Sequence, residues 1–340
     1  MFNFSSYVGK QQIQVRPLRS SIKPMCQLMK KFKKYIQPDF VEAMKNTPFG
    51  PIFMAFYNEE FGAEKALKSN VAVLRILDQY DRNTKTFTIG GKEIELTVED
   101  VALTFGLPVN GADFVMNKTC TMKDRGVIKH FFPNIKKITK VSIEDALDDL
   151  LVKRRKRDIL DVTPDEQSEQ QLSINEITRD INRLAAQDFT TLVILYMSAT
   201  LFFSGSKCTV PWYIVEQIAN MQLMRTICWA KAVWQFLIDS MDIFRQTTYE
   251  LQGCSVQIIV SRNLKFGQHC MKFTHKLRKF VETNLFFNFW QYWLCERAPI
   301  FEQRSGLEEK TPRAVRWDLQ NIGRSLLEVD LKKIDSNIVS

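Results

Sequence analysis

A chain of 340 residues that is 45% apolar and 25% charged has the composition of a folded protein, and its 25 Phe and six Trp exclude global disorder. The formal charge of +9 is lopsided, because residues 1–46 hold nine Lys/Arg against Asp39 and Glu42 while the remainder is nearly balanced. Seven cysteines (Cys26, Cys120, Cys208, Cys228, Cys254, Cys270 and Cys295) without a CxxC pair fit reduced thiols rather than a disulfide framework, and the first thirty residues lack the apolar run of a signal peptide, so secretion is not expected.

In chain order, Met25, Leu28, Met29, Phe32, Tyr35 and Ile36 recur at helical spacing, and Pro38 interrupts the pattern before Phe40, Val41 and Met44 resume it. Two short helices are therefore expected between Ile22 and Lys45. Pro48 and Pro51 bracket a turn into a third helix. A fourth is predicted over Ala63–Tyr80, with Leu67, Val71, Leu74 and Leu77 on one face. Phe87, Ile89, Glu93, Ile94 and Leu96 then form two strand-favouring runs, and Gly90-Gly91 between them supplies the positive φ angles of a two-residue hairpin turn. Thr97 and Asp100 make a capping box that opens a helix through Val98, Val101, Ala102 and Phe105, which Gly106 stops and Pro108 keeps stopped.

Residues 117–140 read as loop. Ser142 and Asp145 predict the cap of a helix to Lys156 whose buried stripe is Ile143, Ala146, Leu147, Leu150 and Leu151. Residues 158–173 turn polar and acidic around Thr163-Pro164, as a linker or surface insertion does, and Ser173 with Glu176 starts a helix to about Ala186. Phe189–Ser206 is short for a membrane span and carries Thr190, Thr191, Ser198 and Thr200, so it is expected as a buried helix and no membrane association is expected. Helices over Pro211–Asn220 and Met221–Phe244 follow, then a strand at Gly253–Val260 and helices near Met271–Thr283, Leu285–Arg297 and Leu319–Leu327. The fold class is mainly α with one small hairpin near residues 86–96. The units along the chain are a basic segment at 1–46, an N-terminal half at 47–157, the linker at 158–173, a C-terminal helical half at 174–331 and a tail at 332–340.

Catalytic chemistry is sparse. His130, His269 and His275 fall in no zinc pattern, no cysteine sits in a protease motif, and Gly90-Gly91-Lys92 lacks the spacing and the strand-to-helix context of a phosphate loop. No cofactor, metal or catalytic residue is expected. Three runs of cations stand out. Lys153, Arg154, Arg155, Lys156 and Arg157 are adjacent like charges, the pattern of a nuclear-import signal as well as of a solvated helix end. Lys30, Lys31, Lys33 and Lys34, and the stretch of Arg262, Lys265, Lys272, Lys276, Arg278 and Lys279, offer phosphate contacts or solvated faces. The six tryptophans lie in helical contexts that favour core packing over stacking on bases.

The run Thr97, Glu99, Asp100, Val101, Ala102, Gly106, Leu107, Pro108, Val109 and Gly111, following the hairpin, resembles the N-terminal signature of the aminotransferase-like plant mobile domain, a family related to transposon regions that precede Ulp1-type cysteine protease domains. VPWYIVEQI with CWAKAVWQFLIDSM, then WQYWLCERAPIF, and finally PRAVRW at Pro312–Trp317 resemble later parts of that family. Likeness runs with gaps from about Phe49 to Leu331, with departures in 117–175 and 245–283. The resemblance implies a transposon-derived, non-catalytic nuclear protein with a protein partner, acting in transposon silencing, chromatin, gene expression or meristem maintenance. Direct nucleic-acid binding through the basic patches is the alternative, and an accessory role beside a Ulp1-type protease a more distant one. Gly90, Gly91, Thr97, Asp100, Gly106 and Pro108 are its expected conformational residues.

Overall fold

A computed structural model describes residues 22–61, 70–114, 126–133, 135–153, 170–203, 208–242, 287–298 and 300–340. Near the N-terminus, α1 (Lys23–Phe32) runs into a 3-10 turn (Lys33–Tyr35), followed by α2 (Pro38–Lys45) and α3 (Gly50–Tyr57). Each of the three helices carries a proline at its first or second position, where the missing N–H costs nothing. Helix α4 (Asn70–Leu77) leads into a sheet of β1 (Tyr80–Asp81), β2 (Thr86–Ile89) and β3 (Lys92–Glu95), antiparallel in that order. Tyr80 pairs with Phe87 and Phe87 with Ile94. The hairpin is where the sequence puts it, with Gly90 at φ 57° and Gly91 at φ 77°. Gly90 is doubly constrained, since a Cβ there would stand 2.5 Å from the carbonyl oxygen of Ile334. The two residues of β1 correct the expectation of a helix through Tyr80. Asp81 turns the chain by accepting from the Asn83 N–H at 2.7 Å, which frees Tyr80 to join the sheet.

Beyond α5 (Val98–Phe105), a short α6 (Gly126–Phe131) occupies part of the predicted loop, and α7 (Lys140–Asp148) starts two residues before the predicted cap. Thr139 is its N-cap and Ser142 the third helical residue, each side chain satisfying the other's backbone N–H, so Ser142 completes a capping box that Thr139 opens. A π turn (Asp149–Lys153) continues it. Helix α8 runs unbroken over 28 residues, Gln170–Met197, and fuses the two helices expected there. Ser173 and Glu176 lie inside it, where a capping pattern is merely tolerated. A second π turn (Ser198–Phe202) closes α8, then come α9 (Trp212–Ala219) and α10 (Met221–Thr226). The helix expected over Met221–Phe244 is broken, because Ile227 is extended and α11 resumes over 229–242. There Ala112 pairs as an isolated parallel bridge with Ile227, and its carbonyl accepts from Cys228 N–H at 2.9 Å. Helix α12 (Phe287–Arg297) and α13 (Leu319–Ser325) complete the set, so the described chain is mainly helical with one small sheet.

A continuous apolar core draws on every one of these helices and on the sheet's inner face. Helix α8 is its axis, packed by α2, α7 and α9, while α12 is covered by α4, α5 and α13. Aromatic rings join the two: Phe87 lies 4.6 Å from Trp293, Phe105 5.6 Å from Phe289 and 5.3 Å from Phe202, and Phe49 5.0 Å from Trp229. The window Asn182–Phe202 is long and apolar enough for a membrane, yet 83% of it is buried inside the protein, as in a core helix. Three of its hydroxyls are absorbed locally, Thr190, Thr191 and Thr200 donating to carbonyls four residues back, while the buried Ser198 hydroxyl has no hydrogen-bond partner. The expected strand at 253–260 and the helix at 271–283 lie outside the described residues.

Candidate functional site

The stretches that carry the family resemblance meet in space. Thr97 caps α5 by accepting from Asp100 N–H at 3.2 Å, and Asp100 Oδ2 accepts from Thr97 N–H at 2.9 Å. Gly106 ends the helix in the left-handed region at φ 67°, where a Cβ would press within 2.7 Å of Pro51 Cβ. Asp100 then does a second job that its position in a capping box does not announce. The same Oδ2 accepts from Arg297 Nη2 at 2.7 Å and from Trp293 Nε1 at 3.3 Å, both on α12. The pair is sheltered, the side chains of Arg297 and Asp100 being 24% and 14% exposed.

The residue beside Arg297 ties the other side of α12. Glu296 accepts from Arg313 at 2.9 Å and from the Trp317 indole at 2.7 Å, so PRAVRW is bonded to the end of WQYWLCER. The Trp234 indole donates to Leu96 O at 2.7 Å and the Cys228 thiol to Val109 O at 3.0 Å, which fastens the second stretch to the residue before Thr97 and to the far end of the first. Trp229, Trp290, Trp293 and Trp317 are buried and Trp212 and Trp234 half-buried, in line with core packing. Chemically the junction is two carboxylates, Asp100 and Glu296, that accept from N–H donors, while the buried Arg297 Nε has no partner.

Of the predicted cations, Lys30, Lys31 and Lys34 are exposed at the end of α1 and Lys33 is half-exposed. Within the fold Lys31 pairs with Asp148 at 3.1 Å and Lys33 with Glu59 at 2.7 Å. Lys33 also holds the Glu59 carboxyl below its ordinary range through that hydrogen bond and its charge. Lys33 and Lys34 lie over the rings of Tyr57 and Tyr35. Of the import-like run, Lys153 ends a π turn and Arg154, Arg155, Lys156 and Arg157 lie outside the described residues, as do Arg262, Lys265, Lys272, Lys276, Arg278 and Lys279.

His130 is exposed, its ring edge-on to Phe131 at 4.5 Å, while His269 and His275 lie outside the described residues. Among the described residues no group of three or more His, Cys, Asp or Glu is placed to hold a metal. Burial pushes the Cys26 thiol up to about 12 and drives Cys295 well above its ordinary value, so both stay protonated and weakly nucleophilic. Tyr196 is raised by burial and by its 2.6 Å hydrogen bond to Glu144. An open cleft of about 740 Å³ lies along β1, between Asp78–Asn83 and Lys332. It presents charges of both signs and no thiol or imidazole.

The sequence missed one surface. Between Gly126 and Ile143 there is no acidic residue, and Lys129, His130, Lys136 and Lys137 are all exposed in the structure. The acid-free run itself was the available signal. The half-buried Trp212 stands against it, its indole N–H donating to Lys136 O at 3.1 Å.

A family model described as a domain of unknown function, DUF8566, matches residues 18–258. No curated protein and no solved structure matches the chain.

Proposed function

The chain belongs to the DUF8566 family, a domain of unknown function, and from that premise we propose that it is a non-catalytic protein-interaction module of the plant mobile domain kind. In this proposal it is derived from a transposable element and works in the nucleus, on transposon silencing, chromatin or gene expression. The observation that carries the proposal is the junction at Asp100. Around it four separated stretches of plant-mobile-like sequence are hydrogen-bonded in a chain, Arg297 to Asp100, Trp317 to Glu296, Trp234 to Leu96 O and Cys228 to Val109 O, as in a scaffold whose work is to hold a surface in place.

Affinity purification of the full chain from plant nuclei tests it, with a stable protein partner as the expected result. Repeated recovery of the chain alone rules the module out. Nuclear entry is tested separately through Arg154→Ala, Arg155→Ala and Arg157→Ala together, which are expected to abolish nuclear accumulation; unchanged accumulation removes the import signal from the proposal.

A further inference from the structure

We propose that the free edge of β3 is a docking site for an extended, basic segment of a partner protein, which adds to the sheet as a fourth strand. The register fixes which backbone groups such a segment meets. Ile89 and Lys92 flank the two-residue turn and bond to each other, as Phe87 and Ile94 do, so the peptide groups of the residues between them face outward. On β2 that outward side is used: Thr88 N–H donates to Gln79 O at 3.0 Å, and β1 pairs alongside. On β3 the outward residues are Glu93 and Glu95, and among the described residues neither has a hydrogen-bond or ion-pair partner on that side. Both are exposed. Gly91, at the turn end of the edge, has nothing beyond its chain neighbours within 4 Å of where a Cβ would stand, and at the other end the Trp234 indole on Leu96 O bounds the edge.

Charge decides the occupant. Ile94 turns to the core, which leaves Glu93 and Glu95 together on the solvent face, and Lys92, the only cation of the strand, is drawn away to Val339 O at 2.9 Å. A strand laid along the edge sets every second side chain opposite these two carboxylates, with Cβ atoms about 5 Å apart, where opposite charge is favourable and like charge is not. A second copy's β3 would bring its own glutamates there, so the edge refuses itself. A segment with Lys or Arg at alternate positions fits. The inference rests on the interaction-module reading and adds to it a surface and a partner chemistry.

The test uses the full-length chain and a fluorescein-labelled peptide that alternates lysine with valine and threonine, read by anisotropy and by hydrogen–deuterium exchange. Binding is expected, with slower exchange of the amides of residues 92–95. Methylating the peptide's backbone nitrogens removes its donors and keeps its charge, and should weaken binding to the wild-type chain at least about tenfold. E93K/E95K, with the fold intact by circular dichroism, should lose at least about tenfold, while the equal charge change E302K/E309K at other exposed glutamates should stay within about threefold of wild type. Absence of binding at millimolar peptide, unchanged exchange of 92–95 or equal binding of the methylated peptide overturns the proposal. So do equal losses in the two double variants, which reduce the effect to a general attraction of charges. Recovery of a nuclear partner beside any of these failures removes the β3 edge and leaves the interaction-module reading standing, so the two fail separately.

Discussion

Two ion pairs of the same length divide the molecule. Arg297 meets Asp100 and Lys33 meets Glu59 at 2.7 Å each, but the first lies 24% and 14% exposed and the second 39% and 72%. Distance alone would equate them. In a sheltered site the guanidinium also answers an acceptor that already caps α5 and holds a tryptophan, so removing it strands a carboxylate away from water. At the surface, water replaces either partner and side-chain entropy cancels much of the attraction. The difference separates what holds this fold together from what decorates it.

Arg297→Ala is the strongest way to break that comparison. It is expected to cost about 3 kcal/mol in urea unfolding, because a partly buried charge loses its partner; a loss no larger than that of Lys33→Ala would remove the junction's structural role. Gly106→Ala comes next, at about 2 kcal/mol, from a left-handed φ and a Cβ pressed on Pro51. Titration upward in pH sharpens the contrast from another side. Cys26, Cys295, Tyr80, Tyr196 and Tyr292 all have raised folded values, so the unfolded chain releases their protons first and stability drains as pH climbs past the ordinary thiol value of 9.0 and tyrosine value of 10.0. Each such group contributes a slope of about 1.4 kcal/mol per pH unit, readable as a falling urea midpoint. A flat midpoint from pH 8 to 10.5 contradicts that burial. Smallest of all, Lys33→Ala should lower the urea midpoint at neutral pH only slightly, by far less than Arg297→Ala. Glu59, held low by Lys33, contributes above its unfolded value and loses that contribution as pH falls through the folded one, and Lys33→Ala should erase this acid-side difference.

What the sequence made legible was what obeys short-range rules. Gly90-Gly91, the Thr97/Asp100 box and the Gly106 stop each depend on neighbours within a few positions, and all three stand as expected. The second role of Asp100 depends on a cation 197 residues away, and no local pattern encodes it. The break at Ile227 was hidden because apolar periodicity runs straight through it, and only pairing with Ala112 pulls that backbone extended. Thr139 was overlooked as a cap since Ser142 has the same chemistry three residues on. Buried Gln291, whose side-chain amide has no hydrogen-bond partner, is explained by nothing in the structure. The Lys136–Lys137 surface escaped notice for the same reason as the junction, its bracing tryptophan being 76 residues downstream.

The reach of the Asp100–Arg297 contact also governs how the protein is made. Helix α5 leaves the ribosome long before α12 exists, and at a synthesis rate of about 5–20 residues per second the intervening chain takes roughly 10–40 s to appear. Through that interval Phe87 and Phe105 have no α12 aromatics to cover them. Until α12 arrives, that aromatic face of the nascent chain stays open to water.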